Sequence, residues 1–320
     1  MEISVVVPTF NRLSTVSRSL ELLFAQEAPR GSFEIIVVVD GSTDGTAEAL
    51  RRLKPGCSFR VIEQENRGLA GARNTGYRAA EGKLVLFLDD DMMCDSRLID
   101  VHLAAHKGEN RTVVFGALFL SPDSLQNLAA ECFKREIGRI HLESASGCGA
   151  KWQETDCVFS NTSVPKKLLE EFGGFDEGFR MREDLELGYR LFKAGVKPKY
   201  ITNAIAYQFY DKSSADLIRD AERFAKADLL FAQKHPEAEI EGQIAWLKGA
   251  GRGKTRLVKL AASYPRLTDA ILAPVCGLGE HWFNVLLLRH AAIRALLFRR
   301  RVHWLHTILE LAPDALKPMA

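Results

Sequence analysis

The first ninety residues alternate between short apolar runs and stretches of helical spacing, and each run ends in a polar cluster. Ile3 to Val7 ends at Pro8-Thr9, and Glu34 to Val39 at Asp40-Gly41-Ser42-Thr43-Asp44-Gly45. Phe59 to Glu63 forms a third run, and Lys83 to Leu88 leads into Asp89-Asp90-Asp91. Strands buried on both faces need such near-continuous runs. The intervening segments, about 14–26, 46–53 and 69–80, space their apolar positions as helices do. Repeated βα units of this length predict an open, mostly parallel, twisted sheet flanked by helices, with right-handed crossovers. Further strands are predicted at 113–119 and 157–164, and helices at 168–172 and 185–194, the latter closed by Gly195. Beyond Ser213 the pattern is almost all helical, with breaks near Pro236, Gly249 to Gly253, Pro265 and Pro274. The chain therefore reads as an α/β domain over 1–215 and a helical region over 216–320.

Ligands of open parallel sheets bind beyond the carboxyl ends of the strands. Thr9, Asp40 and Asp89 to Asp91 fall there, a placement expected of a Rossmann-like nucleotide-binding half. Strand alternation would turn Asp89 and Asp91 to one side and Asp90 to the other. Two converging carboxylates suit Mg2+ or Mn2+, which share oxygen ligands with phosphates; a solvated acidic turn has the same composition. Asp40 can accept a hydrogen bond from a base or ribose, or serve as an Asx-turn or N-cap residue. Glu65-Asn66-Arg67-Gly68 and Gly71-Ala72-Arg73-Asn74 bring cations and backbone N–H groups to a helix start, which favours anions. Their spacing is neither GxGxxG nor GxxxxGK[ST], and this weakens dehydrogenase and P-loop readings. Glu183-Asp184 opens an amphipathic stretch, where carboxylates either cap a helix or supply acid–base chemistry.

In order and approximate spacing, several segments resemble the family 2 glycosyltransferases. They are Val5-Val6-Val7-Pro8-Thr9-Phe10-Asn11-Arg12, Val39-Asp40-Gly41-Ser42-Thr43-Asp44, Asn66-Arg67-Gly68 to Arg73-Asn74, Phe87-Leu88-Asp89-Asp90-Asp91, Gly173-Gly174-Phe175-Asp176-Glu177 and Glu183-Asp184. The resemblance spans residue 3 to about 215. It implies a GT-A fold, a nucleoside-diphosphate sugar donor (UDP-sugar by family habit), a divalent cation (Mn2+ or Mg2+) and inversion at the anomeric carbon. By the same resemblance, Pro8 and Thr9 line the base pocket, Asp40 binds the base and Arg73 holds the nucleoside. Asp89 contacts the ribose or metal-bound water, Asp91 ligates the metal, and Asp184 is the general base, with Glu183 orienting it or touching the sugar. Family members carry a His some twenty to thirty residues after the Glu-Asp pair as a further metal ligand. This chain has Ala206-Tyr207-Gln208-Phe209-Tyr210 there and no His, which leaves Gln208 as the candidate substitute, its amide oxygen being a weaker ligand for a hard metal. The expected acceptor is a saccharide or a lipid-linked molecule, within polysaccharide or glycolipid synthesis at the cell envelope. Two alternatives stand beside this: a non-catalytic GT-A-like sugar- or nucleotide-binding protein, and a sugar nucleotidyltransferase. The second needs a Gly-rich, basic phosphate loop after the first strand, which Val7 to Asn11 lacks.

Composition is that of an ordinary soluble globular chain, and the net charge of +2 excludes little. Its distribution is more informative: residues 251–320 hold eleven Lys/Arg against four Asp/Glu. Trp282 to Phe298 is apolar except for Asn284, Arg289, His290 and Arg294, and Arg299-Arg300-Arg301 and Val302-His303-Trp304-Leu305 follow. Residues 282–305 thus fit a helix in the interface of an anionic membrane, or a lid or dimer contact. Gly147 to Trp152 reads as an acceptor loop in which Trp152 stacks on a sugar ring, or as a plain surface loop. The six cysteines show no metal-ligand spacing and read as reduced thiols. With no signal-peptide pattern and no apolar run of ~18 residues, a cytoplasmic location is expected, with peripheral attachment to the membrane and no nucleic-acid partner.

Overall fold

The computed structural model describes residues 1–145, 157–238 and 252–313. It divides into two compact units, one of residues 1–123 and 137–210, the other of residues 124–136 and 211–320.

The first unit is built on one eight-stranded sheet. In chain order its strands are β1 (Ile3–Thr9), β2 (Phe33–Asp40), β3 (Ser58–Gln64), β4 (Leu84–Leu88), β5 (Met92–Cys94), β6 (Thr112–Leu120), β7 (Asn161–Pro165) and β8 (Lys197–Gln208). Their spatial order is β3-β2-β1-β4-β7-β6-β8-β5. β3, β2, β1 and β4 are mutually parallel, β7 is antiparallel to both β4 and β6, β8 is parallel to β6, and β5 is antiparallel to β8. The sheet is thus mixed, and its parallel half is the one predicted from the apolar runs.

Successive residues of the central strands serve opposite faces. Val5, Val7, Ile35, Val37 and Val39 pack under α1 (Leu13–Phe24), α2 (Thr46–Arg51) and α4 (Leu98–Ala105). Val6, Ile36 and Val38 pack under α3 (Gly68–Ala79), α6 (Lys166–Glu171) and α7 (Glu183–Lys193). This two-sided burial explains why β1 and β2 are hydrophobic without alternation. α3 lies so close to β1 that a Cβ on Gly76 would stand 2.2 Å from Val6 Cγ1.

β5, β8 and α4 were not predicted. β8 reads as polar, and its ladder with β6 jumps from Gly116↔Ile201 to Ala117↔Ile205. That bulge interrupts any period-two pattern.

The second unit is helical: the start of α5 (Leu128–Ala145), then α8 (Ser214–Lys234), α9 (Arg252–Ser263), α10 (Pro265–His281) and α11 (Leu286–Leu311). Ser213 and Asp216 form a reciprocal capping box at the start of α8. The core joins Ala221 and Ala225 of α8, Val258 and Ala262 of α9, and Trp304, Leu305 and Ile308 of α11. Trp304 Nε1 donates to Asp228 Oδ2 at 2.8 Å.

The break expected at Pro265 is present, since that proline opens α10. The break expected at Pro274 is not: Pro274 lies inside α10, which continues through it without the hydrogen bond that its missing N–H would give. Within 282–305, Trp282 and Val285 to Leu288 are exposed, whereas Val302, Trp304 and Leu305 are buried. No described helix is long and apolar enough to cross a membrane.

Candidate active site

A cleft of about 290 Å3 opens at the carboxyl ends of β1, β2 and β4, lined among others by Pro8, Thr9, Asp40, Asp89, Asp90 and Asp91. Of the residues predicted to bind the nucleotide, Pro8, Thr9, Asp40 and Asp89 thus line the cleft, whereas Arg73 lies behind Asp89 and reaches the cleft only through it.

Asp40 ends β2 and organises the loop before α3. Its Oδ1 accepts from Gln64 Nε2 at 2.7 Å and from the Arg67 N–H at 2.8 Å, and its Oδ2 accepts from the Gly68 N–H at 2.8 Å. A carboxylate has about four acceptor positions, so one remains for a ligand N–H. Gly41, at φ +77°, permits the tight approach of the two loops, since a Cβ there would stand 2.8 Å from the Asn66 nitrogen.

The acidic triplet departs from strand alternation. β4 ends at Leu88, and the Met92 N–H donates to the Asp89 carbonyl at 3.3 Å, so residues 89–92 form a turn rather than a strand. Asp90 consequently does not face away from Asp91. Arg12 donates to Asp90 Oδ1 at 2.7 Å and to Asp91 Oδ2 at 3.3 Å, and Thr9 Oγ1 donates to Asp90 Oδ2 at 2.7 Å. Burial is the main reason that the Asp90 carboxyl is pushed up to about 7 and Asp91 to about 6. Arg12 offsets part of this at both, while repulsion from neighbouring acids adds to it.

Gln208, at the end of β8, lies beside Asp91, with Nε2 at 3.3 Å from both carboxylate oxygens. An amide flip would present Oε1 instead. Among the described residues no group of three or more His, Cys, Asp or Glu side chains is arranged to hold a metal ion. The donor chemistry nonetheless fits a hard cation. Asp89 and Asp91 are oxygen donors of one turn; burial first and the Asp89 charge second raise the Asp91 carboxyl, and a cation would offset both.

The second acidic element is joined to the first by one buried side chain. Arg73, 1% exposed, donates from Nη1 to Glu183 Oε1 at 2.9 Å and from Nη2 to Asp89 Oδ1 at 2.8 Å. Its guanidinium lies 5.4 Å from the Phe175 ring centroid. Burial opposes the charge on Arg73, but Asp89 and Glu183 outweigh it and hold the proton more tightly than usual. Glu183 and Asp184 share this site. Burial and then repulsion by Asp184 push Glu183 up to about 7, and burial raises Asp184 as well. Asp184 keeps some solvent contact and accepts from the Leu185 N–H at 2.8 Å. Arg182, immediately before the pair, adopts φ +68°, a left-handed conformation that costs a non-glycine residue ~1–3 kcal/mol. Among the described residues, the only other non-glycine residue with positive φ is Asn11, just after β1. Asn11 lies between the cleft residues Phe10 and Arg12, and Arg182 directly precedes the acidic pair; strain of this kind clusters at functional sites.

Asn74 docks the Gly173 to Glu177 segment onto α3. It donates to the Phe175 carbonyl at 2.8 Å and accepts from the Phe175 N–H at 2.9 Å. Gly174 is required there, because a Cβ would meet Asn74 Oδ1 at 2.5 Å. Sequence reasoning assigned no role to Arg12, Asp90 or Asn74, although each stood within a quoted motif. The signal that could have found Arg12 is a lone cation following the first strand and needed by an uncompensated acidic triplet. Trp152 and the rest of Gly147 to Trp152 lie outside the described residues.

The model of glycosyl transferase family 2 matches residues 4–173. The chain belongs to that family. Validoxylamine A glucosyltransferase of Streptomyces hygroscopicus subsp. jinggangensis is 29% identical over 264 residues, covering 73% of this chain and 61% of that protein. Glycosyltransferase AglE of Haloferax volcanii is 34% identical over 206 residues, covering 63% of this chain and 65% of that protein. The chain spans about three fifths of the length of the first of these curated relatives. Among solved structures, the mannosyltransferase PcManGT of Pyrobaculum calidifontis, in complex with GDP-Man and Mn2+, superposes with a TM-score of 0.64 at 19% identity, covering 98% of this chain and 88% of that one. TarS of S. aureus residues 1–349, in complex with UDP, gives 0.52 at 18%, covering 95% and 90%. These likenesses show the fold: a family 2 chain with a GT-A sheet and C-terminal helices.

Proposed function

We propose that this family 2 chain is an inverting glycosyltransferase that moves a sugar from a nucleoside-diphosphate sugar, a UDP-sugar in the first instance, to a hydroxyl of a saccharide or lipid-linked acceptor. Catalysis is assigned to residues 1–215, with 216–320 as a helical extension. The observation that carries the reading is the buried Arg73 bridge, which ties Asp89 of the first acidic element to Glu183 of the second beside the cleft. A transferase needs those elements on opposite sides of one sugar, and the bridge gives them a fixed separation.

In this reading Pro8, Thr9 and the free acceptor position of Asp40 receive the base, and Asp89 receives the ribose. Asp91 and Asp89 would hold a divalent cation, with Gln208 as a further oxygen donor after its amide turns. Such a cation offsets charge on the diphosphate leaving group. Asp184 takes the proton from the acceptor hydroxyl as that oxygen attacks the anomeric carbon. Its raised pKa favours the task, because a general base works best when its pKa lies near the working pH. Arg73 keeps Glu183 fixed beside it.

The test is calorimetric titration of UDP, GDP and dTDP into the chain with Mn2+ and then with EDTA. Metal-dependent binding of one nucleotide is expected. Binding of none by the folded chain would sink the proposal in favour of a non-catalytic relative.

A further inference from the structure

The helical unit has a surface of inverted polarity. Water-facing positions of a helix are ordinarily polar, yet the exposed stripe of α10 carries Leu267, Ile271, Pro274 and Leu278, with only Arg266 and His281 as polar members. α9 continues it with exposed Leu257, Leu260 and Tyr264, beside exposed Arg256 and Lys259. At the far end Trp282 is exposed, and so are Leu286, Leu287 and Leu288, with Leu287 at 83%. Consecutive helical residues point ~100° apart, so three exposed leucines in succession mark a projecting tip rather than one side of a groove.

The acids of α10 all point inward. Asp269 accepts from Arg299 Nε at 2.8 Å and stands 2.9 Å from His303 Nε2. Glu280 accepts from the Leu128 N–H at 3.1 Å and from Ser214 Oγ at 2.8 Å. Between residues 256 and 288 no acid is exposed, and the exposed polar side chains besides the cations and His281 are the neutral Ser263, Tyr264 and Asn284. Residues 252–313 hold ten Lys/Arg against three Asp/Glu.

We propose that this face, α9, α10 and the 282–288 tip, docks the chain onto an anionic lipid bilayer. The leucines and Trp282 enter the boundary between headgroups and acyl chains, and Arg256, Lys259 and Arg266 meet lipid phosphates. The buried half of 282–305, including Trp304 and Leu305, takes no part. A second copy of the chain is the poorer occupant, because a two-fold pairing would set these cations against themselves. The proposal does not rest on the transfer reaction, and its assay contains no substrate.

The experiment is co-sedimentation of the full chain with vesicles of phosphatidylcholine alone and of phosphatidylcholine mixed with phosphatidylglycerol. Binding to the anionic vesicles only, weakened by salt, is expected. The double variant Leu278→Ser/Leu287→Ser should lower the partition coefficient at least ~10-fold, and Lys259→Glu/Arg266→Glu by ~20-fold or more at low salt. All four positions are exposed, so circular dichroism should report an unchanged fold. Leu53→Ser, exposed on the other unit, should bind as wild type. Failure of the wild-type chain to bind anionic vesicles, or undiminished binding by both double variants, overturns the proposal. So does a concentration-dependent dimer that the leucine variant abolishes without any vesicle binding.

Discussion

Replacing Glu183 by Gln separates two opposing effects at the buried bridge. Arg73 holds its proton more tightly because of its carboxylate partners, which by itself says the ion pair is favourable. Glu183 nevertheless has its own carboxyl raised, which says that its charge is, on balance, unfavourable. The two ends disagree because one guanidinium faces three carboxylates, those of Asp89, Glu183 and Asp184, in a site with little water. At Glu183 burial and the Asp184 charge outweigh the attraction of Arg73. A rise from 4.5 to about 7 corresponds to ~3 kcal/mol, and sharing the proton with Asp184 reduces what one substitution recovers to about 1–3 kcal/mol. The sign is fixed by linkage. A carboxyl raised in the folded state contributes stability that is full below the unfolded value of 4.5 and lost as pH rises through about 7. Glutamine keeps an oxygen for Arg73 Nη1 and carries no charge. Glu183→Gln should therefore match wild type near pH 4.5 and exceed it by about 1–3 kcal/mol at pH 8. Urea unfolding of both proteins across that range measures the difference. A variant less stable than wild type at pH 8 by more than ~1 kcal/mol would show that the ion pair outweighs desolvation, and the reasoning would fail.

Other substitutions probe the remaining parts of the site. Asp184→Asn should keep nucleotide binding and lose transfer by ~10²–10⁴-fold; wild-type turnover in that variant would remove Asp184 from its role. Asp91→Ala should abolish the dependence of nucleotide affinity on Mn2+, and equal calorimetric affinities with and without the metal in both proteins would count against the cation site. Asp40→Ala leaves the Gln64 amide and the Arg67 and Gly68 N–H groups without their acceptor, so it should cost about 1–3 kcal/mol of stability and weaken nucleotide binding. An unchanged melting temperature would show that the loop is held by something else. Gly76→Ala should destabilise by about 1–3 kcal/mol through the 2.2 Å approach to Val6, read in the same thermal assay.

The parallel half of the sheet was legible in the sequence because burial on both faces writes itself as unbroken apolar runs, and β1, β2 and β4 show them. The carboxyl ends of those strands mark where a ligand can bind, so Thr9, Asp40 and the acidic triplet could be named without coordinates. Local pattern did not extend to β5 and β8, whose pairing depends on distant partners and on a bulge. The orientation of the triplet was likewise a tertiary matter. Strand alternation predicts Asp90 facing away, but the turn after Leu88 and the arrival of Arg12 from β1 bring Asp90 and Asp91 to one cation. The Arg73 bridge joins residues 110 positions apart, a separation at which no sequence period operates. The C-terminal helices show the same division. Composition determined that the region is basic and helical, but each helix carries apolar residues around much of its circumference. Only packing decided that Trp304 and Leu305 lie inside while Leu267, Ile271 and Leu287 face outward, because burial depends on which neighbour covers a side chain and not on the side chain alone.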